Sequence, residues 1–260
     1  MRKKPSLYRS FRVQIRVIGA LLLREILTRF GRHNIGFVWL VAEPMMFTLG
    51  VTFLWIASGH HERSLSVTAF VLTGYSSVIL WRNCANRCAM AITPNLTLFY
   101  HRNVKVLDVF IARILLETAG ATASFIFLIV GMSYSGLIDW PASPFTMAIG
   151  WFLLFYYSLA LGILVGVISE RSELFDRFWH VITYLLFPAS GALYIVDWLP
   201  EKFQKIVLML PSVNATEMIR EGYYGNGIVF HYDIKFVIVT CSVMLFIGLL
   251  SIGKHVNTDR

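Results

Sequence analysis

The chain has 260 residues, of which 57% are apolar and only 15% charged, with a mean hydropathy of +0.64. That balance excludes an ordinary soluble domain, so the solvent for most of the chain is lipid. The net charge of +8 needs no nucleic-acid partner, because a basic rim on one side of a set of membrane helices accounts for it.

A bilayer core ~30 Å thick requires roughly 20 mostly apolar residues per helix. Six windows meet this requirement, at 35–57, 65–81 with its continuation, 109–137, 145–168, 178–196 and 230–252, and none alternates as a membrane strand would. The predicted fold class is an all-α polytopic membrane protein with six transmembrane helices.

Ahead of the first window lie more than 30 residues carrying nine cations and no early apolar core, which argues against a cleaved signal peptide. Within them Leu7, Phe11, Ile15, Ile18, Leu22 and Ile26 recur every three or four residues, with Arg9, Arg12 and Arg16 on another face. This is the pattern of an amphipathic helix lying flat in the membrane interface.

The first window contains Glu43-Pro44. An intramembrane carboxylate must face protein or water, and Pro44 removes a helix hydrogen bond. The pair reads either as a hinge or pathway group or as a carboxylate paired to a neighbouring helix. His60-His61-Glu62, in the short link that follows, reads as a solvated loop before it reads as a metal site.

Beyond the second window the apolar signal is interrupted by Arg82, Asn83, Asn86 and Arg87. Cys84 and Cys88 share a helix face there, with neither His nor further Cys nearby, and Cys241 falls in the last window; all three read as packing residues. Residues 94–103 form a short helix candidate with Pro94 in its first turn and Asn95, Leu98, Phe99, Tyr100 and Arg102 along it. An exposed Leu98-Phe99-Tyr100 cluster suits a docking surface better than a plain loop.

Arg113 and Glu117, four apart at the start of the third window, are expected to neutralise each other on one helix face. Gly162 and Gly166 in the fourth form a GxxxG pattern that permits close helix approach. A brief charged turn at 169–177 precedes the fifth window. Residues 197–233 are too polar to span and too apolar for a simple loop, so short helices dipping back into the outer leaflet are expected. Asn214, Glu217 and Arg220 share one side of such a helix, which Gly222, Gly225 and Gly227 end. Gly248 to Lys254 nearly matches a phosphate loop, but His255 stands where Ser or Thr is needed and the run closes a membrane helix.

With the N-terminus inside, 18 of the 23 Lys and Arg residues fall on inner segments and five on outer ones. This asymmetry predicts that both termini are cytoplasmic. The chain offers no nucleotide motif, metal cluster or nucleophile arrangement of its own, so no cofactor is expected on it and any energy source sits on another chain.

The flat basic N-terminal helix, Arg29-Phe30-Gly31 leading to Gly36-Phe37-Val38-Trp39 and Glu43-Pro44, the polar helix after the second window, and Pro211, Asn214, Glu217 and Arg220 before the last together resemble one family. They resemble the type-2 ABC exporter permeases, and within them the inner-membrane permease of Gram-negative capsular polysaccharide export. The resemblance implies a homodimer with a central conduit, powered by ATP and Mg on two separate ATP-binding subunits. These would dock on the interfacial helix (1–33) and on a cytoplasmic coupling helix at about 94–103. It further implies outer re-entrant helices at about 199–224 within a transmembrane domain at 34–256, and a cytoplasmic tail at 257–260. An outer gate is expected at Pro211, Asn214, Glu217 and Arg220, because a polar helix face there would otherwise meet hydrocarbon. Periplasmic and outer-membrane export proteins would carry the polymer onward. Trp39, Trp55, Tyr75, Trp81 and Tyr194 suit either an interfacial belt or a conduit with flat faces for sugar rings.

The expected cargo is an acidic, lipid-anchored capsular polysaccharide; O-antigen, teichoic acid or a small drug would use the same permease. A secondary transporter would instead carry inverted repeats with paired broken helices, which this sequence lacks.

Overall fold

The computed structural model describes residues 7–30, 35–57, 66–99 and 104–258. Among these residues the chain forms ten α-helices and no strand. They are α1 (Leu7–Phe30), α2 (Ile35–Ala57), α3 (Val67–Cys88), α4 (Leu96–Phe99), α5 (Val106–Tyr134), α6 (Pro144–Arg171), α7 (Glu173–Ala189), α8 (Glu201–Val207), α9 (Pro211–Tyr224) and α10 (Ile234–Thr258).

Helix starts follow from local chemistry. The hydroxyls of Ser66, Ser143 and Ser172 accept from the amides of Ala69, Thr146 and Phe175, capping α3, α6 and α7. The Asp108 carboxylate accepts from the Lys105 amide at the start of α5. Ser172 alone separates α6 from α7, so the charged turn expected at 169–177 is a single residue flanked by helix. The near-match to a phosphate loop lies inside α10.

Among the described residues four helices are long and apolar enough to cross a bilayer: Val38–Ala57, Val106–Tyr134, Pro144–Arg171 and Ile234–Ile252. The windows at 65–81 and 178–196 correspond to α3, whose second half carries Arg82, Asn83, Asn86 and Arg87, and to α7, which has only 17 residues. At 1.5 Å per residue α7 is roughly 26 Å long.

The helix α6 is central, with 67% of its apolar window buried, whereas α10 has 17% and turns Val239, Val243, Phe246 and Leu250 outward. Gly162 meets Ile114 of α5, and Gly166 lies against the Phe110 ring and the Cys88 carbonyl. Both positions of the GxxxG pattern therefore sit at helix contacts. Phe125 of α5 stacks on Trp151 of α6 at 4.2 Å, and the Trp151 indole donates to Thr122. Cys84, Cys88 and Cys241 are buried in the same core.

In α1, Leu21 is buried and Val17, Ile18 and Leu22 pack partly against the core, while Tyr8, Phe11, Ile15, Leu23 and Leu27 are exposed. Two apolar stripes thus replace the single stripe read from periodicity, one meeting α5 and one facing outward. Pro44 leaves α2 continuous as a helix. Its missing N–H frees the carbonyl of Leu40, the backbone atom nearest Gly120 of α5, and the Ser124 hydroxyl donates to the neighbouring Val41 carbonyl at 2.5 Å.

Polar clasps join the helices at one end, here called the rim. Gln14 donates to Asp108, Arg24 to Asn95 at 2.6 Å, and Arg113 pairs with Glu25 at 2.9 Å. Glu170, near the end of α6, accepts from the amide of Ile92 and the hydroxyl of Thr93. Arg171 donates to the Ser251 carbonyl of α10.

At the opposite end α9 runs antiparallel along the first half of α6. Gly222 abuts the Met147 backbone, Ile219 and Ala215 approach Gly150, and Ser212 lies beside Tyr157. Tyr157 lies 13 residues into α6, so the start of α9 is roughly 20 Å below the α6 end at which Gly222 emerges.

Candidate functional site

Three side chains of α9 fasten it to the irregular backbone around it. Asn214 spends its whole amide: the nitrogen donates to the Leu208 and Leu210 carbonyls, and the oxygen accepts from the Asp233 amide at 2.8 Å. Glu217 accepts from the amides of Val196 and His231. Arg220 donates to the carbonyls of Gly191 (2.6 Å), Tyr194 (2.5 Å) and Ala192 (2.8 Å), and its guanidinium lies 4.1 Å from the centre of the Phe70 ring.

The spacing of three places these residues on one helix side as read from the sequence, and Pro211 opens the helix. Glu217 and Arg220 are both fully buried and 3.9 Å apart. Burial raises the Glu217 carboxyl above the usual carboxylate range, against the pull of Arg220. Gly74 of α3 makes room for the arrangement, since a Cβ there would fall 2.6 Å from the Arg220 guanidinium and 2.5 Å from the Ala192 carbonyl oxygen. Non-helical backbone in an apolar setting needs its N–H and C=O groups satisfied, and these three side chains supply that need.

The five candidate aromatics fall into different settings. Trp81 is buried in the core beside Tyr157, with its indole N–H unpartnered among the described residues. Trp39 is about half exposed on α2. Trp55 packs on Phe70, which in turn stacks on Trp198. Tyr75 meets Phe187 of α7 edge-on at 5.9 Å, and the Tyr194 hydroxyl donates to the Ala189 carbonyl.

Glu43, Phe47, Tyr75, Arg82, Asn83 and Asn86 line a cavity of about 230 Å³ between α2 and α3. The edge toward α7 is marked by two contacts: Arg82 lies 4.8 Å from the centre of the Tyr184 ring, and the Trp179 indole donates to Asn86 at 2.9 Å. Residues 75, 79, 82 and 86 of α3 share one helix face. That spacing was available in the sequence, where the polar residues read only as an interruption of the apolar window.

At the rim Arg113 pairs with Glu25 of α1 and donates to the Arg87 carbonyl, while Glu117 pairs with Arg87 of α3 at 3.2 Å. The direct Arg113–Glu117 bridge expected from their spacing gives way to a chain that runs between helices. Pro94 lies in a 3-10 turn, Thr93–Asn95, that leads into α4. Asn95 is buried, with its oxygen taken by Arg24 and its nitrogen donating to the Ala91 carbonyl. Leu98 and Phe99, expected to be exposed, are half-buried against the core, whereas Leu96 is exposed. Tyr100 and Arg102 lie outside the described residues, as do His60, His61 and Glu62.

Residues 16–224 match the ABC-2 type transporter family. The chain is 40% identical to the capsule polysaccharide export inner-membrane protein CtrC of Neisseria meningitidis, over 96% of this chain and 95% of that one. It is also 40% identical to the capsule polysaccharide export inner-membrane protein BexB of Haemophilus influenzae, over 94% of this chain and 92% of that one. Identity to the polysialic acid transport protein KpsM of Escherichia coli is 30%, over 92% and 93% of the two chains. A family match spanning most of the chain, around a bundle of apolar helices, has one reading: this protein belongs to the ABC-2 type transporter family.

Proposed function

We propose that this chain is the permease subunit of an exporter that moves an acidic, lipid-anchored capsular polysaccharide across the bacterial inner membrane to the periplasm. The observation that carries the reading is the similarity, over more than nine tenths of the chain, to proteins named for capsule polysaccharide export. An acidic cargo is supported by the relative named for polysialic acid, since sialic acid carries a carboxylate.

In this reading α2, α3, α5, α6, α7 and α10 are the six spans and α1 rests in the inner interface, its outward stripe of Tyr8, Phe11, Ile15, Leu23 and Leu27 meeting lipid. Residues 94–103 form the coupling segment on the cytoplasmic side, with both termini there. The helices α8 and α9 re-enter from the periplasmic side, a reading supported by the depth at which α9 begins against α6. Pro211, Asn214, Glu217 and Arg220 hold α9 and the 191–196 backbone as one body, which moves as a unit in an outer gate. Two copies enclose the conduit. Two ATP-binding subunits bind ATP and Mg and drive it, and periplasmic and outer-membrane proteins receive the polymer.

Deleting the gene in its host tests the function. Polymer is expected to vanish from the cell surface and accumulate inside, and the tagged permease is expected to co-purify with an ATP-binding subunit. Unchanged surface polymer in the deletion strain would refute the cargo. Loss of O-antigen, teichoic acid or drug efflux instead would reassign it within the same family.

A further inference from the structure

At the end of the bundle opposite the rim, α8 and the start of α10 enclose a cavity of about 480 Å³. Two opposite charges open onto it: Lys205, in the last turn of α8, and Asp233, just before α10, both exposed. One Asp233 oxygen caps α10, accepting from the Phe236 amide at 3.1 Å. Neither side chain forms an ion pair with another described residue. The His231 imidazole on the same wall is already engaged, 3.2 Å from Asp197.

The cavity lies at the level of lipid headgroups. Asp233 immediately precedes the apolar stretch Ile234–Ile252. The helix α10 runs beside α6 in the same direction, Ser242 meeting Tyr156 and Gly248 meeting Ile163, so Asp233 falls within about one turn of the level at which α6 begins. Leu208, Met209 and Phe236 give the cavity an apolar wall. From Phe236 the outward stripe of Val239, Val243, Phe246 and Leu250 continues down the same face of α10. A charge pair that opens onto such a stripe selects among ligands. An anionic lipid or an acidic sugar satisfies Lys205 but is repelled by Asp233, and a neutral sugar neutralises neither. A zwitterion carrying phosphate and ammonium on one short linker neutralises both. The volume falls within the roughly 300–1,000 Å³ of small-molecule sites, enough for such a headgroup.

We propose that this cavity binds the headgroup of a zwitterionic phospholipid of the phosphatidylethanolamine class, with its phosphate at Lys205, its ammonium at Asp233 and an acyl chain along Val239 and Val243. This rests on the reading of α10 as a membrane span given above. A lipid held there bridges α8 to α10.

The full-length permease is stripped of bound lipid in detergent and offered phosphatidylethanolamine or phosphatidylglycerol with matched acyl chains, and the lipid retained is counted by native mass spectrometry. The wild-type chain is expected to retain about threefold more phosphatidylethanolamine, the scale of one exposed charge pair. Asp233→Asn keeps an acceptor for the Phe236 amide and is expected to bring the ratio near one without changing the unfolding temperature. Lys205→Gln is expected to lower retention of both lipids about threefold. Equal retention by the wild type overturns the site, as does a preference that survives Asp233→Asn or retention unchanged by Lys205→Gln. In cells, p-benzoylphenylalanine in place of Met209, or of Val243 lower on α10, is irradiated and the adducts are sorted by lipid extraction, carbohydrate staining and mass. Phosphatidylethanolamine adducts are expected at both positions. Lipid at 243 with only polymer, only protein or no adduct at 209 removes the site and leaves the span standing. No lipid adduct at either position removes the span, and the site with it.

Discussion

An arginine with no exposed surface is stable at position 220 because it replaces water for three carbonyls at once. Gly191, Ala192 and Tyr194 belong to a turn that has no helix of its own to satisfy them, and the Arg220 fork reaches all three. Arg220→Ala should destabilise the fold by about 3–5 kcal/mol, because it strands Glu217 as well as the carbonyls. Arg220→Lys should recover only part of this, since one ammonium cannot reproduce a planar fork. Thermal unfolding of the detergent-solubilised variants measures both. Glu217→Gln should be milder than Glu217→Ala, because the amide oxygen still accepts from Val196 or His231. If instead Glu217→Ala abolishes export without lowering the unfolding temperature, Glu217 has a gating role beyond its bonds to backbone. The side-by-side placement of 214, 217 and 220 was legible in their spacing. Their partners were not, because a backbone carbonyl has no signature in the sequence. For the same reason Arg113 and Glu117 looked like partners, when α1 and α3 bring Glu25 and Arg87 to them.

At the scale of elements, hydropathy located helices well and their ends unevenly. The first window matches α2 residue for residue, whereas α7 begins five residues before its window and ends seven residues before the window does. The early start was readable in Ser172, Glu173 and Asp176, a cap followed by an acidic first turn that a hydropathy window penalises. The late half of α3 was obscured by the opposite effect, since Arg82, Asn83 and Asn86 are helical yet polar. In the coupling segment the amino acids were legible but their burial was not. Leu98 and Phe99 lean on the core, so Phe99→Ala should loosen the fold locally, whereas the exposed Leu96 should make the direct contact with the ATP-binding subunit. Leu96→Glu is therefore expected to weaken co-purification of that subunit by roughly thirtyfold, the equivalent of about 2 kcal/mol, while leaving the unfolding temperature unchanged. Undiminished association would remove Leu96 from the interface.

For the whole molecule, orientation is open to a direct measurement that the buried native thiols favour. Cys84, Cys88 and Cys241 are all buried, so background labelling of the intact protein should be low. Thr97 and Lys202 are exposed at opposite ends of the bundle. In intact cells an impermeant thiol reagent should label Lys202→Cys and leave Thr97→Cys unlabelled until the membrane is breached; the reverse pattern would invert the topology. The rim clasps bear on how such a chain is made. Arg24 meets Asn95 across 71 positions, Arg113 meets Glu25 across 88, Ile92 meets Glu170 across 78, and Trp179 reaches Asn86 across 93. Synthesis proceeds from the N-terminus at about 5–20 residues per second, so the polar groups of α1 and α3 wait several seconds at the ribosome for companions that have not yet been translated. During that interval the nascent chain carries unpaired charge beside lipid. Biogenesis of this permease therefore includes a vulnerable half-inserted species, and a chain truncated before α6 and α7 is one that membrane proteases would recognise as unfinished.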